Sequence, residues 1–523
     1  MLHAIRDHKI FLLVLVMAAI LYIAFPMQLQ SMEAYSYAAG IERYYNISTT
    51  FALSQGDYLP DFGRYHPNHP LGHVLAGLAY DWLKIPALAW MRFTNVVSTL
   101  AAALFIYLLA FQMRLAREAA VVASALFLGT HSALFAVFSG EWHMPSLALS
   151  LAGTWQVLFY ALGGTRKKLY WGAFLLCIAV CYHTAALSYS VCLFVLLVFF
   201  RKEQWRQLLM VGGAALLVIG LVYFVIPFFV LHFKNPSDFL RAFFMYVYLE
   251  HTRFGGFAWL LAFLQTIFHS FFFIPATLPA MNWFVFPFFL VFGAAGWKFF
   301  RSSVELPLKV LFVFMLFGWP ISVAISGSRA NAINGWISML PLLCLMVAYA
   351  LYNLHKRLIF IAAGVPIILF VWNFYYLILP NHFYKRDDVY LFKLPENTPK
   401  TTPVVFVVNE LVLTISEIWY AGSELNYRNQ NVFYPCCGEN NYLFRLRRWL
   451  RANPDAIIIS DGKPEIIERF LQGEGLDYSL SYDRSVRWPA SLLPATLYFI
   501  RPPGYQYPKR LIAWFPSART PRP

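Results

Sequence analysis

Eleven apolar runs divide the first 380 residues, and the turns joining them carry basic residues on alternate sides. The runs lie near 9–26, 92–112, 119–139, 145–162, 169–187, 188–200, 208–232, 283–300, 306–326, 335–353 and 357–379. A hydrocarbon core about 30 Å thick is crossed by about 20 apolar residues of helix, whose backbone groups all pair internally. Each run is therefore expected to be a transmembrane helix. Arg6 and Lys9 precede the first run. Arg114 and Arg117 follow alternate runs, then Arg166, Lys167 and Lys168, then Arg201, Lys202 and Arg206. Lys298 and Arg301, and finally Lys356 and Arg357, continue the series. All of these turns fall on the N-terminal side, which the positive-inside rule makes cytoplasmic. Residues 27–91, residues 233–282 and the chain after 380 are then expected outside.

Composition agrees with lipid as the main solvent. Hydrophobic residues are 59% of the 523 and charged ones 13%, with a mean hydropathy of +0.56; a soluble chain could not bury that much apolar surface. A net charge of +15 would point to nucleic acid in a soluble protein. Here spans separate the basic clusters, so nucleic acid is not an expected partner. The apolar run before Pro26 is long for a signal peptide. Met27-Gln28-Leu29-Gln30 offers no small-residue cleavage site, so the first span is read as uncleaved. Segment 256–277 is apolar enough to pass for a span. Counting it would turn Lys298 and Arg301 outward, so interfacial or re-entrant helices are expected there. Cys177, Cys181, Cys192 and Cys344 lie in apolar runs and read as packing residues. Cys436 and Cys437 are adjacent, a geometry that strains a disulfide.

From about 381 the pattern changes. Val404-Val405-Phe406-Val407-Val408 and Ala456-Ile457-Ile458-Ile459 read as strands; Tyr442–Arg451 and Pro464–Gln472 read as helices. Two domains are expected: residues 1–380 in the membrane, and residues 381–523 as an outer α/β domain.

The polar groups able to do chemistry gather on the outward side. The first outer loop, 27–91, holds Glu33, Tyr35, Asp57, Asp61, His66, Asn68 and His69 before an apolar helix that Pro70 opens. That helix is expected to lie along the membrane surface. Glu141 falls between two apolar segments with His143 two residues on, and acids at such positions are functional candidates. Arg329, with Asn331 beside it, is the basic residue of its short outward turn, against the general charge bias; this suits a phosphate ligand. Arg92 lies near the outer end of the second span, and His183, near the outer end of the fifth, reads as a packed histidine. Glu33 and Glu141 are the candidate catalytic acids. Tyr35, Asp57, Asp61, His66, Asn68, His69, Arg92, His143, Arg329 and Asn331 are the candidate substrate-binding residues. No cofactor is firmly expected. A divalent metal at His66 and His69 is the disfavoured alternative, because His-x-x-His lacks a fixed third ligand.

These residues also form an ordered set of motifs. Met32-Glu33-Ala34-Tyr35 matches three of four positions of an Asp-Glu-Ala-Tyr motif. His69-Pro70-Leu71 resembles a His/Pro-Pro-Leu run opening a juxtamembrane helix. Met91-Arg92-Phe93-Thr94-Asn95 resembles an Arg-Leu-x-Asn start of span two. Gly140-Glu141-Trp142-His143-Met144-Pro145 is similar to a short acidic element ending span three. Ser328-Arg329-Ala330-Asn331 with Leu340-Pro341-Leu342 resembles a late basic outward turn. In this order the motifs resemble the glycosyltransferase C-type (GT-C) superfamily, in particular protein O-mannosyltransferases and lipid A aminoarabinose transferases. Met32 stands where that family has Asp, so Glu33, Asp57, Asp61 or Glu141 would take the role of that acid.

The resemblance implies a GT-C-like polytopic α-helical membrane protein with about 11 transmembrane helices, juxtamembrane helices in the first outer loop and an outer α/β domain. It implies sugar transfer from a polyprenyl-phosphate donor to a lipid, glycan or protein acceptor at the outer face. A fixed cation would accept the phosphate charge that develops, and one carboxylate would take the acceptor hydroxyl proton. A single displacement inverts the anomeric centre. A bacterial inner membrane, with the site facing the periplasm, is the expected location. Two other classes compete: a transporter or flippase of lipid-linked glycan, and a non-catalytic scaffold with an outer interaction domain. A transporter is expected to show paired repeats and mid-membrane charges, and the sequence has neither.

Overall fold

The computed structural model describes residues 8–26, 41, 69–139, 142–230, 257–275, 277–304, 306–307, 309–314, 337–353, 359–383, 402–407, 430–433, 439–460, 464–486 and 509–516. They fall into a helical unit and an α/β unit.

The helical unit begins with α1 (Lys9–Ala24), α2 (Pro70–Leu83), α3 (Ala87–Gln112) and α4 (Arg117–Gly129). It continues with α5 (His131–Ser139), α6 (His143–Ala161), α7 (Arg166–Tyr182), α8 (Leu187–Phe200) and α9 (Trp205–Gly220). Then come α10 (Phe257–Phe271), α11 (Val285–Phe300), α12 (Leu340–Tyr352) and α13 (Ile359–Asn373). Among the described residues, four helical segments are long and apolar enough to cross a membrane: Ala87–Gln112, Trp205–Val225, Pro279–Phe300 and Gly364–His382. The chain is thus an integral membrane protein. The run expected as one span at 119–139 is instead a bent pair, with 59° between α4 and α5. Thr130 at the break is extended (ψ 149°), and its hydroxyl donates back to Phe127 O at 2.7 Å, ending the helix. The run expected at 169–187 ends as a helix at Tyr182, with His183 extended.

In lipid, helices gain little from apolar burial against one another, so close backbone approach and polar ties hold them together. Gly153 of α6 and Gly172 of α7 supply the approach. A Cβ on either would fall 3.0 and 3.1 Å from the other's carbonyl oxygen. Buried Asn373 at the end of α13 supplies a tie. Its Nδ2 donates to Gly129 O at 2.8 Å and Phe271 O at 2.7 Å, while its Oδ1 accepts from Phe273 N at 2.8 Å. One side chain thus holds the ends of α4, α10 and α13. His131 Nδ1 meets His269 O, and His269 Nε2 meets Asn282 Oδ1, both at 2.7 Å. Residues 257–271 are one helix, α10, followed by a 3-10 turn at Pro279–Phe284 that leads into α11.

The α/β unit has five strands: β1 (Val404–Val407), β2 (Gln430–Phe433), β3 (Ile457–Ser460), β4 (Tyr478–Val486) and β5 (Lys509–Pro516). Their order is β2-β1-β3-β5-β4. β1 pairs parallel with β2 and β3, while β5 runs antiparallel to β3 and β4. Helices α14 (Glu439–Ala452) and α15 (Pro464–Gly473) pack on it through Leu446, Leu450, Ile467, Phe470 and Leu471 against Val405, Ile458 and Trp514.

Candidate functional site

Four histidines from three helices meet at one end of the helical unit. His69 precedes α2, His73 lies one turn into it, His143 opens α6 and His183 follows α7. Ring centroids are 4.0 Å apart for His143–His183, 4.5 Å for His69–His183 and 6.4 Å for His69–His143. His73 lies 6.3 Å from His69 with the rings nearly parallel. His69 and His73 are buried, whereas His143 and His183 are half-buried.

Local chemistry explains why each ring stands where it does. Pro70 occupies the first turn of α2, where its missing N–H costs nothing, and fixes the helix start directly after His69. His183 is extended (φ −160°, ψ 132°) and its Nδ1 accepts from Ala185 N at 2.9 Å, capping a 3-10 turn. With its Nδ1 lone pair engaged, the neutral ring carries its proton on Nε2 and is a donor there. Ser146 Oγ donates to Ala179 O at 2.9 Å, tying the first turn of α6 to the last of α7. Trp142, fully buried, lies 6.1 Å from His73 and 6.4 Å from Tyr182 and wedges beneath the cluster. Clustered imidazoles whose ring N–H groups donate suit an anionic oxygen such as that of a phosphate.

An apolar groove of 790 Å³ runs away from the cluster. One face of α2 lines it with Pro70, Leu71, Val74, Gly77 and Leu78. Tyr170, Ala173, Phe174, Cys177, Ile178 and Cys181 of α7 form a second wall; Val211, Ala214, Ala215 and Val218 of α9 form the third. Small residues at helical spacing open the space. A π-helical turn at Leu221–Val225 interrupts the α9 register, where Val222 and then Ile226 continue the wall. Tyr223 of that turn donates its hydroxyl to Val180 O, fixing the wall to α7.

Of the residues singled out by sequence, His69 and His143 are brought together here. Arg92 is half-buried in the second turn of α3, the helix that packs on both α2 and α6. Glu33, Tyr35, Asp57, Asp61, His66, Asn68, Glu141, Arg329 and Asn331 lie outside the described residues. His183, read from sequence as a packed histidine, is instead a member of the cluster, and His73 joins it unforeseen. A signal existed for His73, the i+4 spacing after His69. None existed for His183, since only the fold places the end of α7 beside the start of α2. Among the described residues, no three His, Cys, Asp or Glu side chains are arranged to hold a metal.

No protein-family model matches the chain. Undecaprenyl phosphate-alpha-4-amino-4-deoxy-L-arabinose arabinosyl transferase 2 of Proteus mirabilis (strain HI4320) is 32% identical over 176 residues. That match spans 32% of this chain and only 30% of the Proteus protein. The crystal structure of ArnT from Cupriavidus metallidurans in the apo state superposes with a TM-score of 0.56 at 12% identity, covering 98% of each chain. The same protein bound to undecaprenyl phosphate gives 0.55 at 12% identity, covering 99% of this chain and 100% of ArnT. The chain therefore has the fold of ArnT. The resemblance to the GT-C superfamily, carried in the sequence by short motifs, extends to the fold of a polytopic membrane protein along its whole length.

Proposed function

We propose that the protein is an inner-membrane glycosyltransferase that moves a sugar from undecaprenyl phosphate, or a close polyprenyl phosphate, to a lipid acceptor at the periplasmic face. The observation that carries this reading is the histidine cluster at the head of an apolar groove, within a fold shared end to end with an undecaprenyl-phosphate-bound protein. The partial identity to an arabinosyl transferase favours a pentose as the transferred sugar.

In the proposed reaction an acceptor hydroxyl oxygen attacks the anomeric carbon. The bond from that carbon to the phosphate oxygen breaks, and its electron pair leaves with the phosphate. A carboxylate takes the hydroxyl proton; Glu33 is the first candidate, with Glu141 or the acids Asp57 and Asp61 as the others. Donors at the leaving phosphate are worth most as its charge grows, which is when they accelerate the step. His69, His143 and His183 supply such donors, and Arg329 is assigned the balancing cation. One displacement inverts the anomeric centre.

Purified protein given a radiolabelled undecaprenyl-phosphate pentose and a lipid acceptor tests the reading. Glu33→Gln and Arg329→Ala are expected to abolish transfer while leaving the melting temperature unchanged. Full activity in Glu33→Gln would remove Glu33 as the base. Movement of the labelled lipid across a vesicle without sugar release would replace the transferase by a flippase.

A further inference from the structure

We propose that the turns joining α6 to α7 and α8 to α9 form one site for the headgroup of an anionic phospholipid carrying two phosphates, in the leaflet away from the histidine cluster. The assignment is independent of the transferase reading.

The two turns are separate in sequence and tied together in space. The turn after α6 passes through Gly163, at a φ of 103° that L side chains rarely adopt, and Gly164 N donates back to Phe159 O at 2.8 Å. Arg201, just past α8, reaches across to it. Its Nε and Nη2 both donate to Tyr160 O, at 3.1 and 2.9 Å. The Tyr160 hydroxyl donates to Gln204 Oε1 in the 3-10 turn that leads into α9. In the first turn of α9, Gln207 Nε2 donates to the Tyr170 hydroxyl at 3.0 Å and holds the foot of α9 against the foot of α7. These bonds fix both turns beforehand, so a ligand need not order them.

The joined turns concentrate positive charge. Arg166 and Lys167 are exposed at the start of α7, and Lys202 and Arg206 are exposed at the approach to α9. Lys168 lies 5.5 Å over the rings of Trp155 and Phe159, and Arg201 is engaged in the tie. Glu203 is the one acid in residues 143–230. Two exposed pairs of cations thus stand on two joined turns, and one phosphate on each pair satisfies both. At the foot of α11 the cations are engaged otherwise. There Lys298 donates to Asn353 O, and Arg301 lies 4.0 Å over the Trp297 ring.

Depth identifies the ligand as a lipid. α7 and α9 run parallel, since Gln207 bonds to Tyr170 at one end and Tyr223 to Val180 at the other. The histidine cluster begins at His183, directly after α7. The helix between is about 26 Å long at about 1.5 Å per residue, close to the hydrocarbon thickness of about 30 Å. The cations therefore stand at the opposite interface, which the charge bias makes cytoplasmic. Trp171 and Trp205 are 60% and 55% exposed beside them, as indoles at headgroup level are. Leu209 and Leu216 continue down α9 as an exposed apolar path for acyl chains.

The purified full chain in micelles, titrated with tetraoleoyl cardiolipin and read by native mass spectrometry, tests the site. Dioleoyl phosphatidylglycerol, counted per phosphate, is expected to bind at least tenfold more weakly, and dioleoyl phosphatidylcholine not to compete. Arg166→Gln with Lys167→Gln, and Lys202→Gln with Arg206→Gln, should each weaken cardiolipin binding about tenfold. Arg114→Gln with Arg117→Gln removes the same charge from another turn on the same side and should bind as the parent does. Photoreactive cardiolipin on the parent protein in nanodiscs should mark the peptides that hold 162–171 and 201–207, a reading that needs no variant to fold. Equal weakening in the Arg114 and Arg117 variant, or label elsewhere, would overturn the site. Phosphatidylglycerol matching cardiolipin phosphate for phosphate would overturn the two-phosphate ligand. Displacement by an equal concentration of inorganic pyrophosphate would replace the lipid by a soluble diphosphate.

Discussion

Gly72 and Trp142 compete for the same space. A Cβ on Gly72 would lie 2.4 Å from Trp142 Cδ2 and 2.8 Å from two further indole carbons, although 70 positions separate the two residues. The indole is fully buried, so it has nowhere to yield. Trp142 in turn packs on His73 and directly precedes His143. Gly72→Ala is therefore expected to cost about 1–3 kcal/mol through overpacking and to displace His143. Sugar transfer should fall by more than the loss in melting temperature accounts for. A variant that melts lower but turns over normally would separate Trp142 from the site.

His183 has two jobs that a substitution can divide. Its Nδ1 caps the turn at Ala185 and its ring joins the cluster. In His183→Asn the amide oxygen can keep the cap, because Asn is a good cap residue, while the ring is lost. Undecaprenyl phosphate affinity, read by thermal-shift titration, is expected to fall about tenfold or more, the value of one hydrogen bond to a charged group at roughly 1.5–3 kcal/mol. Melting of the lipid-free protein should hold. Unchanged affinity would place the phosphate away from His183.

Asn373→Leu should be among the most damaging single changes in the helical unit. It strands the Phe273 N–H and the carbonyls of Gly129 and Phe271 in a buried place. Polar ties between helices in membranes are worth roughly 0.6–2 kcal/mol each, so a loss of about 2–4 kcal/mol is expected in reversible unfolding from mixed micelles. A change under 1 kcal/mol would mean that other groups satisfy the freed backbone.

Tyr478 predicts an alkaline limit for the α/β unit. Burial first, and the nearby Asp455 carboxylate second, push its hydroxyl up to about 12, above the usual 10. The hydroxyl donates to Ala456 O at 2.9 Å. An acid whose folded value is raised keeps its full contribution below the unfolded value and loses it as pH climbs through the folded one. Melting followed between pH 10 and pH 12 should show this loss in the parent and a smaller one in Tyr478→Phe. Equal slopes would remove Tyr478 as the cause.

Much of the architecture was legible because lipid imposes simple rules. Apolar length marks a helix, as at Ala87–Gln112, and Pro70 after His69 marks a helix start. The strands at Val404 and Ile457 follow from short continuous runs of β-branched and apolar residues, and the helices at Glu439 and Pro464 from helical periodicity. The bend at Thr130 has a local mark in Gly129-Thr130-His131-Ser132, but the overall apolar length of the run outweighs it, and only the structure shows the Thr130 hydroxyl turning back on its own helix. The role of Asn373 was not legible, because its three partners are more than 90 residues away or at another helix end.

The histidine cluster divides along the same line. The sequence by itself determined that the chain lives in a membrane and that His69 and His143 stand at helix starts. It also carried the motif order that resembles the GT-C superfamily. Only the tertiary structure decided that His183 closes the cluster, that Gly72 must be glycine, and that small residues on α2, α7 and α9 face one another across a groove. Helix periods are local and can be read from neighbours in the chain. The meeting of three helix ends depends on Gly153 and Gly172 letting α6 and α7 touch and on Gly72 letting α2 close over Trp142. These are contacts between distant segments that no local pattern encodes.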